Sequence, residues 1–170
     1  MQYTDIFELS RARGVIEGDF TENDLPGLAS LLDADCGRLQ VHWQALGTAG
    51  RDDLPGADLA LKAEIVTRCV RCGEPVTIVV EKTVPFLFVK NEKQADAIPI
   101  EDDGDYEIVV GSRKFDLAAW VEEELILSLP AFAQHDDCSP DEEHMHTEEL
   151  PQAQERTNPF AVLATLKKKH

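Results

Sequence analysis

Hydrophobic and polar residues alternate along three segments between residues 38 and 90. In the first segment, one face carries Leu39, Val41, Trp43 and Ala45. In the second, one face carries Leu59, Leu61, Ala63, Ile65 and Thr67. The third segment, residues 75–90, is rich in β-branched and aromatic residues. A period of two is typical of half-buried β-strands, and the short links between the segments favour antiparallel pairing.

Two other segments carry apolar residues at spacings of three and four, which is the spacing of one helical face. The first predicts a helix at about residues 22–32, with Thr21 as its N-cap and Pro26 in its first turns. The second predicts a helix over residues 117–128, with Asp116 as its N-cap and Pro130 beyond its end. The apolar positions of this second helix are Leu117, Trp120, Val121, Leu125 and Leu129.

These elements predict a single-domain α+β fold, in which an antiparallel sheet curved enough to approach a barrel carries the two helices. We expect the core domain to span residues 1–134, with an acidic loop near 91–106. We expect residues 135–157 to form a mobile acidic loop and tail, because like charges resist packing. The last segment, 158–170, predicts a short amphipathic docking helix with Asn158 as its N-cap and Pro159 at its first position.

The formal net charge of −17 at pH 7 by itself disfavours binding to nucleic acid. The distribution of charge changes this picture. Residues 91–157 hold 19 acidic and four basic residues, which leaves 14 acidic and 12 basic residues in the rest of the chain. The excess of acid is therefore local, and the objection to an RNA partner is weaker than the net charge indicates.

The sequence contains neither a run of about 18 apolar residues nor the pattern of a signal peptide. We therefore expect a cytoplasmic protein. Thiols in that compartment are kept reduced, so the four cysteines predict ligands, redox groups or core residues in preference to disulfides.

Two short motifs supply a candidate metal site. RCVRCG places Cys69 and Cys72 three residues apart, and HDDC places His135 and Cys138 at the same spacing. Cysteines at a tight turn can direct two thiolates at one cation, and zinc prefers four sulfur or nitrogen ligands. Together the motifs predict a structural Cys3His site. A redox pair and buried thiols without a ligand are the open alternatives.

Motifs of common enzymes do not occur in the sequence. We find no phosphate-binding glycine loop, nucleophile elbow or HExxH motif. The sequence therefore contains no feature that requires an enzyme.

Three stretches occur in order along the chain: CVRCGEPVTIVVEKTVPFLFV, FDLAAWVEEELILSLPAFAQHDDC and NPFAVLATLKK. Together they resemble the YceD family of large ribosomal RNA subunit accumulation proteins. The resemblance implies a non-enzymatic factor needed for normal levels of 23S ribosomal RNA, acting in its synthesis, processing or stability. The family pattern carries over to Cys69, Cys72 and Cys138, and His135 matches a histidine-containing loop of the family.

Two modes of action fit an acidic protein with this resemblance. In the first, 23S ribosomal RNA or its precursor is contacted by a face around Arg68, Arg71, Lys82 and Lys90. In the second, the protein holds a basic ribosomal protein or an RNA-processing factor, with an apolar anchor formed by Phe160, Leu163 and Leu166. We expect neither DNA nor a membrane as a partner. A zinc- or thiol-dependent redox protein is the alternative function.

Overall fold

A computed structural model describes residues 3–51, 53–99 and 106–140. The strands are β1 (Tyr3–Thr4), β2 (Val15–Thr21), β3 (Arg38–Arg51), β4 (Leu54–Arg68), β5 (Pro75–Val89), β6 (Glu107–Val110) and β7 (Phe115–Asp116). The helices are α1 (Ile6–Ala12), α2 (Pro26–Ala29), α3 (Glu92–Asp96) and α4 (Leu117–Ser128). The predicted docking helix, 158–170, lies outside the described residues, together with Phe160, Leu163 and Leu166.

Five strands form the main sheet in the order β2-β3-β4-β5-β6, and β1 pairs with β7 in a separate two-stranded sheet. Strands β2 to β5 run antiparallel, as predicted, and the α+β class is confirmed. The prediction of a wholly antiparallel sheet is wrong at β6, which pairs parallel to β5. The connection of residues 90–106 permits this, because a parallel crossover needs about a dozen residues or more.

The main sheet is open, and its barrel-like curvature is not confirmed. Strands β2 and β6 are its two edges and do not pair with each other. Closing a barrel would require these edges to pair along their length. Strand β6 has only four residues, whereas β2 has seven, so β6 offers little length for closure.

The buried face of the sheet is the face that the alternation predicts. The buried positions in β3 are Leu39, Val41, Trp43 and Ala45, and those in β4 are Leu59, Leu61, Ala63 and Ile65. The strand register places Trp43 opposite Leu61, so both side chains enter the same core.

The predicted helix over 117–128 is confirmed as α4. The carboxylate of Asp116 accepts hydrogen bonds from two backbone N–H groups of the first turn, at 3.1 and 3.2 Å. Trp120 is buried and packs edge-on against Phe86, Phe88 and Phe115, with ring centroids 4.9, 5.8 and 5.4 Å away. These contacts hold α4 on the sheet.

The predicted helix at 22–32 is wrong in extent, because the structure contains only the short helix α2 there. The Asp24 carboxylate accepts hydrogen bonds from the backbone N–H and the hydroxyl of Thr21. Thr21 therefore ends β2 and does not cap a helix. Beyond α2 the Leu31 N–H donates to the Leu28 carbonyl oxygen, a tighter turn than that of an α-helix.

Helix α1 is an additional element, capped by the side chain of Asp5. The buried Ser10 hydroxyl donates to the Thr48 carbonyl oxygen at 2.8 Å, which fixes α1 against β3. Gly47 permits this approach, since a Cβ atom there would lie 2.0 Å from the Leu9 carbonyl oxygen. The backbone of α1 therefore packs directly against the backbone of β3.

The predicted acidic loop near 91–106 begins with α3, which Asn91 caps, and residues 100–105 lie outside the described part. Residues Met1–Ser139 form one compact unit. The predicted boundaries after residues 134 and 157 stay predictions. In the described part of the chain, no helix has the length and apolarity needed to cross a bilayer.

Candidate metal centre

Cys69 and Cys72 lie in the turn that joins β4 to β5, residues 69–74, which we call the knuckle. The Cys69 N–H donates to the Glu74 carbonyl oxygen at 2.8 Å, and the Gly73 N–H donates to the Cys69 carbonyl oxygen at 3.0 Å. Gly73 has a φ angle of 76°, which glycine adopts without the steric cost of a side chain. The glycine after the second cysteine is therefore what lets the chain turn back into β5.

His135 and Cys138 lie in the segment 131–140, which follows α4 and contains neither helix nor strand. The Val70 N–H donates to the Ala133 carbonyl oxygen at 2.9 Å. The Arg71 guanidinium donates to the Cys138 carbonyl oxygen at 3.2 Å and to the Gln134 side chain at 3.3 Å. These bonds place the segment beside the knuckle.

The four predicted ligands converge. One ligand atom from each side chain lies within 4.8 Å of all the others. The Cys69 and Cys138 sulfurs are 3.7 Å apart, and the Cys72 sulfur is 3.4 Å from His135 Nδ1. The cluster can therefore hold a metal ion.

The carbonyl oxygen of Pro75 sets the tautomer of His135. Nε2 of His135 lies 3.1 Å from this oxygen, and a carbonyl oxygen only accepts, so we assign the proton to Nε2. Nδ1 is left with a lone pair that faces the cysteines. Metal-binding histidines commonly have such a partner on the second ring nitrogen.

The cysteine thiols have opposite pKa shifts. Burial raises the pKa of Cys69, but hydrogen bonds from the backbone of Cys72, His135 and Arg71 outweigh burial and lower the pKa to about 5. Burial raises the pKa of Cys138, and the neighbouring Cys69 and Cys72 sulfurs raise it further. A negative charge on one sulfur therefore disfavours ionisation of the next thiol. A cation at the centre would remove this repulsion.

Arg68 braces the knuckle from outside. Its Nε donates to Asp33 Oδ2 at 2.8 Å, and its Nη1 donates to the Gly73 carbonyl oxygen at 2.7 Å. The hydrogen bond from Arg68 holds the pKa of Asp33 well below its usual range. The sequence analysis missed this brace, because the two residues are 35 positions apart and belong to no common motif.

The four basic residues predicted to contact RNA do not form one cluster. Arg68 and Arg71 make the bonds described above, and Lys82 pairs with the Glu124 carboxylate of α4. Lys90 follows the opposite end of β5 from the knuckle. Their contact with RNA stays a prediction.

The fold and the site define an α+β domain with a Cys3His ligand cluster at a hairpin turn. A family model described as "Large ribosomal RNA subunit accumulation protein YceD" matches residues 57–167. The chain belongs to the YceD family.

A curated relative from Haemophilus influenzae, named "Large ribosomal RNA subunit accumulation protein YceD", is 33% identical over 114 residues. The alignment covers 64% of this chain and 63% of the relative, so the chain spans less than two thirds of that relative's length. No solved structure matches the chain.

Proposed function

We propose that the protein is a non-enzymatic ribosome biogenesis factor needed for the synthesis, processing or accumulation of 23S ribosomal RNA. The observation that carries this proposal is the family match over residues 57–167. The matched range contains all four residues of the ligand cluster. The proposed partners are 23S ribosomal RNA or its precursor, and a ribosomal protein or an RNA-processing factor.

The cluster is proposed to hold one structural Zn²⁺ ion. With Zn–S bonds of about 2.3 Å and Zn–N bonds of about 2.0–2.1 Å, tetrahedral geometry separates two sulfurs by about 3.8 Å and a sulfur and a nitrogen by about 3.6 Å. The corresponding distances are 3.7 Å for Cys69 and Cys138 and 3.4 Å for Cys72 and His135. The remaining pairs, within 4.8 Å, need to contract by at most about 1.2 Å. The donor set and its spacing therefore fit zinc.

A structural role fits this donor set better than a catalytic or redox role. Four protein ligands fill a tetrahedral zinc site and leave no position for a water molecule or a substrate. A redox thiolate needs access to its partner, whereas Cys69 is only 2% exposed. Both arguments favour a metal that orders the chain.

The metal is proposed to order the segment 131–140. This segment would then fix the point from which the rest of the chain reaches its partner. Cys138 stands two residues before the end of the described chain. The segment 158–170 would then dock on the partner through Phe160, Leu163 and Leu166. Burial of each side chain would contribute about 1.5–3 kcal/mol before the cost of ordering.

Crosslinking in living cells tests the proposed function. The tagged protein would be crosslinked with ultraviolet light, and the bound RNA and proteins would be identified by sequencing and mass spectrometry. We expect enrichment of 23S ribosomal RNA or its precursor, or of large-subunit proteins, over an untagged control.

A variant that lacks residues 158–170 tests the docking segment in the same experiment. It should keep the thermal stability of the full chain and lose most of the association. Contacts confined to unrelated RNA and proteins would contradict the proposal.

A further inference from the structure

A groove of about 880 Å³ lies at the opposite end of β5 from the metal centre. Its walls come from α1, the turn between β3 and β4, the residue after β5 and the loop before β7. We call it the α1 groove. Its basic lining residues are Arg11, Arg13, Lys90 and Arg113.

Three carboxylates also line the α1 groove, but two of them have partners. Asp5 accepts from backbone N–H groups as the N-cap of α1, and Glu8 pairs with Arg11. Asp53 is the third acidic residue. Much of the negative charge in the groove is therefore already compensated.

The other basic side chains of the groove have no such compensation. Among the described residues, no carboxylate lies within ion-pair distance of Arg13, Lys90 or Arg113. All three residues are exposed. The α1 groove is thus a concave surface whose basic side chains are available to a ligand, on a protein with a net charge of −17.

Backbone strain is concentrated in this groove. In the described part of the chain, the non-glycine residues with positive φ are Arg13, at 49°, and Asp53, at 62°, and both line the groove. Arg13 ends α1 in the left-handed conformation, at a position where glycine is the usual residue. Strained backbone positions occupied by a residue other than glycine are typical of functional sites. An arginine at this position therefore indicates that its side chain binds a ligand.

The walls of the groove are held together by backbone hydrogen bonds. The Gly111 N–H donates to the Val89 carbonyl oxygen at 2.8 Å, and the Ile6 N–H donates to the Ser112 carbonyl oxygen at 3.3 Å. A Cβ atom on Gly111 would lie 2.9 Å from Ile6 Cγ2, so the loop and α1 approach closely. The end of β5, the start of α1 and the loop that carries Arg113 therefore have fixed relative positions.

We infer that the α1 groove binds the phosphate backbone of ribosomal RNA through Arg13, Lys90 and Arg113. This inference rests on the proposed function, which supplies ribosomal RNA as the polyanion. Guanidinium groups suit phosphate because they can donate two parallel hydrogen bonds to it. The half-buried Phe7 also lines the groove and offers an aromatic surface for a base.

Fluorescence anisotropy with the full chain tests the inference. The probes are labelled fragments that tile 23S ribosomal RNA and its precursor. The groove variant carries Arg13→Gln and Arg113→Gln. Its matched control carries Arg38→Gln and Lys62→Gln, which remove the same charge from exposed strand positions outside the groove.

Each lost guanidinium–phosphate contact is expected to weaken binding about three- to tenfold. The slope of log affinity against log salt should fall by about 0.7–1 for each contact. The control variant should keep the affinity and the salt slope of the wild type.

The substitution Arg13→Gly separates loss of binding from loss of folding. Glycine relieves the left-handed strain, so Tm should stay constant or rise by about 2–4 °C. RNA affinity should nevertheless fall about three- to tenfold.

Equal affinities of the groove and control variants would overturn the inference. Competition by polyglutamate as strong as that by RNA of equal charge would also overturn it, because the groove would then be a site for acidic peptides. A failure of the proposed function has a different signature. If cells without the protein keep normal 23S ribosomal RNA, the proposed function fails; if they need the protein and the groove variant rescues them fully, only the groove assignment fails.

Discussion

Removal of the proposed zinc ion is predicted to release the segment 131–140 and to leave the main sheet folded. Apart from the contacts made by the cysteine sulfurs, this segment is tied to the knuckle and to β5 by four hydrogen bonds among the described residues, which join Val70 to Ala133, Arg71 to Gln134, Arg71 to Cys138 and His135 to Pro75. At about 0.5–1.5 kcal/mol each, these bonds contribute about 2–6 kcal/mol.

The entropy cost of ordering the segment is larger than this contribution. Fixing the backbone of its ten residues costs about 10–20 kcal/mol. None of its side chains is buried, so apolar burial does not close the gap. A structural zinc site contributes about 10–16 kcal/mol in small peptides. This is comparable with the difference between the entropy cost and the contribution of the hydrogen bonds.

Hydrogen exchange measured by mass spectrometry checks this prediction. After treatment with a chelator under reducing conditions, the Val70 amide, which donates to Ala133, and the amides in residues 131–140 should exchange rapidly, while amides in β3, β4 and β5 should stay protected. The protein purified without a chelator should contain one zinc ion per chain. Cys138→Ser should lose the zinc and the protection.

The control is Cys36→Ser, which changes a cysteine outside the ligand cluster and should change neither readout. Persistent protection of residues 131–140 in the metal-free protein would refute the energetic reasoning. A metal-free protein from chelator-free purification would refute the site itself.

Further predictions concern the core and its charges. Leu125→Ala should lower the free energy of unfolding in urea by about 2–5 kcal/mol, because Leu125 is fully buried, whereas Leu127→Ala, at a position that is 79% exposed on the same helix, should cost little. Asp33→Asn should flatten the acid side of a plot of Tm against pH. Pairing with Arg68 lowers the pKa of Asp33 in the folded state, so this stabilisation is present above the unfolded pKa of about 3.9 and is lost as pH falls below it, through the lowered pKa of the folded state; an unchanged acid side would contradict the pairing. Asp116→Ala should destabilise the protein by about 1 kcal/mol through loss of the N-cap of α4, and a urea midpoint equal to that of the wild type would show that the cap contributes nothing.

The helices and strands could be predicted where their apolar residues repeat on one face and that face packs against the core. Trp43 and Leu61 alternate with polar neighbours and are buried opposite each other, and Trp120 follows the helical spacing of α4. The region before β3 is different, because Leu25 and Leu28 have a helical spacing but also fit a turn. There the local hydrogen bonds of Asp24 compete with helix formation.

Pairings distant in sequence set the parts of the fold that the periodicity did not predict. Helix α1 has only seven residues, too few for a strong periodic signal, although Asp5 before Ile6 and Leu9 is a helix start that could have been noticed. The parallel pairing of β6 depends on how the connection after β5 crosses back. A hydrophobic pattern carries no information on that direction.

The ligand cluster was predictable because two cysteines or a histidine and a cysteine three residues apart can point to one centre. Their convergence across 63 positions, from Cys72 to His135, followed from combining the two motifs. The partner of Lys82 was not predictable in this way. Glu124 reaches it only because α4 packs over β5 in one particular register.

The ratio of 23S to 16S ribosomal RNA in cells that lack the protein tests the proposed role in 23S ribosomal RNA accumulation most directly. We expect this ratio to fall when the protein is absent, to recover with the wild-type chain, and to recover less with Cys138→Ser, which disrupts the proposed metal site. A ratio that stays normal without the protein would contradict a role in large-subunit ribosomal RNA accumulation.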